Sequence, residues 1–350
     1  LATRSGTNNF HGSLFWTNRN SVWDANTFSN NFNGIGKDTL NRNQYGGRLG
    51  GPIIKNKTFF FFLYEGQRAI SKAVVSPIVL TQTARQGLFR YFPGAQNAGA
   101  ASTVSPPTVD LAGNPVQPST ATGPLATFSV FGPDPNRPGP DQSGLIAKIL
   151  SAMPLPNDFL AANGVDGLNT ARYRWIRRRE GTDTLSGGSE GDNTNRDQYN
   201  LRIDHMINAN HKFTLAATRE HGFADLSLSE WPGGFNGMID HHPQVYTGSL
   251  VSTISRNLVN EFRVGHRRVK LDALQAFDHP KTGQQAKEYM GLSNGIPFTI
   301  EGTLFGQSSM VYADNGSIGN QTPLWNIGDT VSWVRGKHAF KGGGDMRRQR

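Results

Sequence analysis

The 350 residues carry 35 Lys plus Arg against 26 Asp plus Glu, a formal charge of +9, and no cysteine. The lack of thiols excludes a disulfide scaffold and a thiolate metal centre, and no zinc-finger, RRM or helix-turn-helix pattern accompanies the charge, so no nucleic-acid partner is expected. No apolar run approaches the ~20 residues of a transmembrane helix, which leaves spanning strands open, because only alternate residues of such a strand meet lipid.

The chain opens at Leu1 with no charged and then apolar leader, and reads as an internal fragment without a signal peptide. Phe10 to Asn18 is the first strand candidate. Asn20 to Leu40, rich in Asn, Gly and Asp, reads as a loop. Asn43 to Ile54 and Thr58 to Arg68 are two further strands, reversed across Lys55-Asn56-Lys57. The glycines of the former, Gly46, Gly47, Gly50 and Gly51, fit a strand that bends or that another backbone approaches closely. Phe59 to Phe62 with Tyr64 fit either a soluble sandwich core or a lipid-facing strand reaching an aromatic girdle.

From Ser76 to about Arg196 the pattern changes. Ten of the 19 prolines fall between Pro93 and Pro140, which no sheet interior accepts. Two helical patterns interrupt this insertion, Thr81 to Tyr91 and Gly144 to Ala152. So long a stretch reads as functional loop or disorder, and barrels put their long loops outside the cell.

Strict alternation returns afterwards. Tyr199, Leu201, Ile203 and Ile207, with His205, share one face, and Asn200, Arg202 and Asp204 the other. After Asn208-Ala209-Asn210, Phe213, Leu215 and Ala217 alternate with Lys212, Thr214 and Thr218. Pro232 to Pro243 reads as a loop. Gln244 to Ile254 and Val259 to Val269 form a hairpin, Ala273 to Gln321 reads as a loop, and Leu324 to Val334 with His338 to Arg347 form a last hairpin. About nine strands result, with short turns alternating with long loops. That rhythm is the signature of a transmembrane antiparallel β-barrel. Leu201, Ile203, Leu215 and Phe262 are expected to face lipid, and Arg202 and Arg263 the lumen, where a polar replacement of Arg202 costs little.

Three constellations bear on chemistry. Gly187-Gly188-Ser189-Glu190-Gly191 spells a nucleophile elbow, but its surroundings are small and polar rather than strand and helix, so it reads as a flexible loop. Asp240-His241-His242 offers donors suited to a transition metal. Adjacent residues seldom converge on one ion, however, and loop histidines are the simpler reading. Arg172, Tyr173, Arg174, Trp175 and Arg177, with Arg178 and Arg179, form a basic aromatic cluster. It fits a patch for anionic headgroups or an anionic ligand, a β-ribbon, or a solvated loop strand.

The stretches Ser5-Gly6-Thr7-Asn8-Asn9-Phe10-His11-Gly12-Ser13, Asn43-Gln44-Tyr45-Gly46-Gly47-Arg48-Leu49-Gly50-Gly51-Pro52-Ile53 and Lys57-Thr58-Phe59-Phe60-Phe61-Phe62-Leu63-Tyr64-Glu65-Gly66-Gln67-Arg68 resemble the start of the barrel in TonB-dependent outer-membrane receptors of the Oar-like type. The resemblance implies that Ala2 to Thr7 ends a plug domain, and that residues 1–350 are the N-terminal part of one barrel of about 22 strands, with residues 76–195 a loop insertion. It also favours the girdle reading of Phe59 to Phe62.

It further implies an outer-membrane location, lipid as a partner, coupling to a TonB complex through the plug, and capture of an extracellular glycan, peptide or siderophore-like ligand. The expected ligand-binding residues are Arg172, Tyr173, Arg174, Trp175 and Arg177. No enzymatic activity, cofactor or metal is expected. The alternative of another class is a secreted or surface all-β adhesin that binds glycans without transport. A hydrolase would rest on Ser189 alone.

Overall fold

The computed structural model describes residues 4–32, 34–97, 107–132, 139, 142, 144–159, 165–179, 194–226, 228–289 and 317–349. Its strands are β1 (His11–Asn20), β2 (Thr39–Ile54), β3 (Thr58–Val75), β4 (Ile78–Leu80), β5 (Leu88–Tyr91), β6 (Ala126–Ser129), β7 (Thr170–Arg172), β8 (Trp175–Arg178), β9 (Asn195–Met206), β10 (His211–Leu226), β11 (Gly237–Ser255), β12 (Leu258–Leu274), β13 (Ile318–Arg335) and β14 (His338–Gln349). The helices are α1 (Phe28–Phe32), α2 (Gln82–Arg85), α3 (Leu145–Ala152) and α4 (Gly283–Tyr289). No described helix is long and apolar enough to cross a membrane.

One antiparallel meander runs β1-β2-β3-β9-β10-β11-β12-β13-β14, and β8 pairs with the far end of β3. The sheet is part of a barrel wall, and among the described residues β1 and β14 are its two edges. All nine expected strands form. The observed strands run past the expected ones mainly at the ends bearing the long loops, because polar residues there still satisfy their backbone groups through the ladder. β3 thus continues through Ser71 and Lys72, which pair with Leu40 and Thr39.

The same effect corrects two loop assignments. β11 begins at Gly237, inside the expected loop Pro232 to Pro243. His241 and His242 are therefore strand residues and not loop histidines, and they point to opposite faces. The expected loop Ala273 to Gln321 gives up its last residues to β13 from Ile318. Pro243 and the nearby glycines read as breakers. Pro243 instead sits in the strand opposite Val269.

Register assigns the two faces. Phe62 pairs with Leu201, Leu201 with Ala217, and Ala217 with Tyr246, so these share the lipid face. Leu215 pairs with Ile203, and Leu250 with Phe262, on that same face. Arg202 pairs with Ala216, and Arg263 with Ser249, on the other. At the loop-rich end of the lipid face runs an aromatic row. Trp16 lies opposite Tyr45, Tyr64 is 5.2 Å from Tyr199, and His266 lies 6.3 Å from Tyr246 and 4.3 Å from Trp325. This is the interfacial girdle of a membrane barrel. Phe60, Phe62 and Tyr64 serve the lipid face, whereas Phe59 and Phe61 lie opposite the lumenal Asp204 and Arg202.

The short turns define the periplasmic end. In the β2–β3 turn Asn56 adopts φ 62, and Asn8 closes it through Asn56 N–H donating to Asn8 Oδ1 at 2.7 Å. From there the N-terminal segment lies against the lumenal wall. A Cβ on Gly6 would sit 2.3 Å from the Phe60 carbonyl oxygen, so only glycine permits this approach. Gly51 makes room on the opposite face for the Phe10 ring, 2.3 Å from where its Cβ would be. The glycine-rich β2 is thus a site of close approach, as its composition implies.

Candidate functional site

Four long connections, residues 21–38, 76–194, 227–236 and 275–317, leave the same end of the sheet. Barrels direct such loops to the cell exterior. The described parts of the insertion form helices and paired strands that its composition does not announce. The helical pattern Thr81 to Tyr91 is helical only over Gln82–Arg85, capped by Thr81, and then becomes strand β5, which pairs with β6. Phe89 and Phe128, 5.4 Å apart across this pair, explain the change: aromatic cross-strand packing outweighs helix propensity. Helix α3 forms as expected after Gly144. The Ser189 motif lies outside the described residues.

Two exterior connections share one core, and a third docks beside it. Val79, Ile149 and Met153 of the insertion enclose Trp231 of the β10–β11 connection, and Leu80, Leu150 and Tyr173 pack against them. A second cluster, Phe92, Val109 and Leu168, lies inside the insertion. The third connection joins through Lys148, which donates to the Tyr289 carbonyl and sits 4.6 Å from the Tyr289 ring centroid. Burial raises the Tyr289 hydroxyl above its usual range.

Half-buried arginines close this assembly. Arg85 donates to the carbonyls of Leu80 at 3.1 Å, Met153 at 2.7 Å, and Pro154. It satisfies the open carbonyl end of α3, where the helix dipole favours a cation. Burial lowers its pKa. Arg90 reaches the Leu168 carbonyl, and its pKa is also lowered by burial, with Asp166 opposing. Asp166 accepts from the N–H groups of Asn169 at 2.7 Å and Thr170 at 2.9 Å, fixing the turn into β7.

The basic aromatic cluster is distributed over this assembly. Arg172 pairs with Ile78 through its backbone, and Tyr173 packs on the Trp231 core. Arg174 bonds to Asp158 at 2.7 Å and remains exposed. The Trp175 indole donates to the Glu230 carbonyl at 2.9 Å. Arg177 donates to the Leu228 and Ser229 carbonyls at 2.9 and 2.8 Å, and faces the Glu230 carboxylate at 3.3 Å. Alternation along β8 therefore turns Trp175 and Arg177 inward to hold the β10–β11 connection. Arg178, exposed on the other side, pairs with Asp225 at 3.0 Å. Beside it a cavity of about 320 Å³ opens between Phe223, Asp225, Met238, His279 and Lys281. Sequence reading missed Asp225 and His279, whose partners lie on other elements.

The match with known proteins agrees with this architecture. A family model described as an outer membrane beta barrel domain matches residues 2–350. No curated protein matches the chain. The chain belongs to the outer membrane beta barrel domain family, and its place is the bacterial outer membrane.

Proposed function

We propose that this outer membrane barrel is a receptor of the TonB-dependent kind, whose exterior loops capture a ligand for energised uptake. The observation that carries the reading is the path of the N-terminal segment. Ser5 and Gly6 lie on the lumenal wall against Asp204 and Phe60 before the chain rounds Asn56 into β1. A domain attached ahead of Ser5 would begin inside the barrel, as a plug does in the family that the motifs resemble. The interlocked exterior connections add a rigid frame, the usual carrier of binding residues.

Ligand contact belongs to the surface that Arg172, Tyr173, Arg174, Trp175 and Arg177 build. Arg174 supplies charge at the surface, while Trp175 and Arg177 hold its shape. A glycan, peptide or siderophore-like molecule with anionic character suits it. The test is accumulation of labelled oligosaccharides and oligopeptides by cells expressing the full-length protein, with and without a functional TonB complex. Accumulation that depends on both protein and TonB is expected. Surface binding that is unchanged without TonB, with no accumulation, overturns the uptake reading and leaves an adhesin.

A further inference from the structure

The structure assigns a transition-metal site to His221, Asp240 and His242, on the lipid face of the wall beyond the aromatic row. The β10–β11 ladder pairs Gly222 with His241 and Phe223 with Asp240, which sets His221 across from His242. Asp240 and His242 are two apart on β11 and therefore share a face, while His241 points away. His221 Nε2 lies 2.7 Å from Asp240 Oδ1, and His242 Nε2 lies 3.1 Å from Asp240 Oδ2. The three donor atoms fall within 4.8 Å of one another. Ligands held about 2.0–2.2 Å from one ion are separated by roughly 3 Å, so the donor spacing already suits a metal, and a tilt of the stacked rings brings both in-plane lone pairs onto it.

The two imidazoles stack with centroids 4.4 Å apart and planes 5° from parallel. That stack aims both Nε2 atoms at one carboxylate. A single divalent ion replaces both N–H donors and keeps every distance short. Phe223 backs the His221 ring at 5.1 Å, limiting its rotation. Lys270, in register with His242, does not oppose a cation there, because its ammonium is held by Asp272 at 2.6 Å. The three side chains are 43%, 27% and 25% exposed, so an ion has access and water can complete its shell.

Two imidazoles and one carboxylate on adjacent strands suit zinc and its first-row neighbours better than calcium or magnesium, which require oxygen. His242 lies four positions from Tyr246 of the girdle, about 13 Å along the strand. The site therefore stands outside the hydrocarbon layer, at headgroup height on the exterior side.

The test is zinc binding by the full-length protein purified in detergent, followed calorimetrically and with calcium as the comparison ion. One zinc per chain is expected, with no saturable calcium binding. His221→Gln and His242→Gln should each weaken binding by more than about 100-fold, beyond an outer-shell loss. His241→Gln, on the opposite face, should leave it unchanged. A second measurement needs no variant: zinc should protect His221 and His242, but not His241, from carbethoxylation in the native protein. Zinc binding that survives both substitutions, or equal protection of all three histidines, overturns the assignment, as does failure to bind zinc.

Discussion

The Ser5 hydroxyl donates to Asp204 Oδ2 across 2.7 Å, joining residues 199 positions apart. Asp204 is 2% exposed and also receives Arg202 Nε at 2.7 Å, Thr214 Oγ1 at 2.9 Å and Lys212 Nζ at 3.3 Å. The lumenal wall is thus wired to the segment that precedes the barrel. Asp204→Ala removes the carboxylate on which Ser5, Arg202 and Thr214 converge, and should cost about 3 kcal/mol, the scale of hydrogen bonds to a charged group. Ser5→Ala should cost about 1 kcal/mol. Urea unfolding in detergent checks both. The same network holds Arg202, whose side chain is about a fifth exposed and lies on the lumenal face as expected.

The lipid face gives a second prediction. Leu201→Arg, near the middle of the wall, should cost about 2–4 kcal/mol in a bilayer. Thr218→Arg, on the lumenal face opposite Asn200, should cost less than half as much. Equal tolerance in refolding titrations would invert the face assignment.

The glycines of β2 should be unequal to others in the sheet. A Cβ at Gly46 would stand 2.2 Å from the Tyr64 carbonyl oxygen, which the ladder holds in place. Gly46→Ala should therefore cost about 1–3 kcal/mol. At Gly265 the nearest atom is 3.9 Å away, and Gly265→Ala should fold as the parent does. Thermal unfolding of the pair in micelles reads the difference.

Topology is testable because the chain has no cysteine. Leu111, 79% exposed in the insertion, should as Leu111→Cys react with a membrane-impermeant maleimide on intact cells. Lys337→Cys, in the β13–β14 turn, should react only after the outer membrane is opened. The opposite pattern would turn the barrel over.

The third exterior connection should loosen in acid. His279 Nδ1 accepts from the N–H groups of Lys281 and Thr282, each at 3.2 Å, and from Thr282 Oγ1 at 3.0 Å, at the start of α4. Burial lowers its pKa below 6.5, with Lys281 adding to the shift and Asp225 opposing it. A base with a depressed folded pKa is protonated more readily when released. Its contribution is therefore present above pH 6.5 and is lost as pH falls through that value toward the folded pKa. Amide exchange at Thr282 to Ala286 should accelerate on going from pH 7.5 to 5.5 after correction for intrinsic rates, and His279→Gln should flatten that change.

The wall of the barrel was legible in the sequence because its information is local. A period of two in Tyr199 to Ile203 and in Phe213 to Ala217 names both faces without knowledge of the partner strand, and Lys55-Asn56-Lys57 marks its own turn. Strand ends were less legible, since residues such as Ser71, Lys72 and Pro243 stay in the ladder for reasons of pairing, not of hydropathy. What only the tertiary structure decided depends on register between distant segments. Trp231 completes a core begun at Val79 and Ile149, Arg177 spends its donors on Leu228 and Ser229, and Asp204 collects Ser5. His221 meets His242 because β10 and β11 align across a long connection. Sequence alone separates these residues by tens of positions and carries no signal of which will meet, because alternation reports the face a residue takes and is silent on its height along the wall.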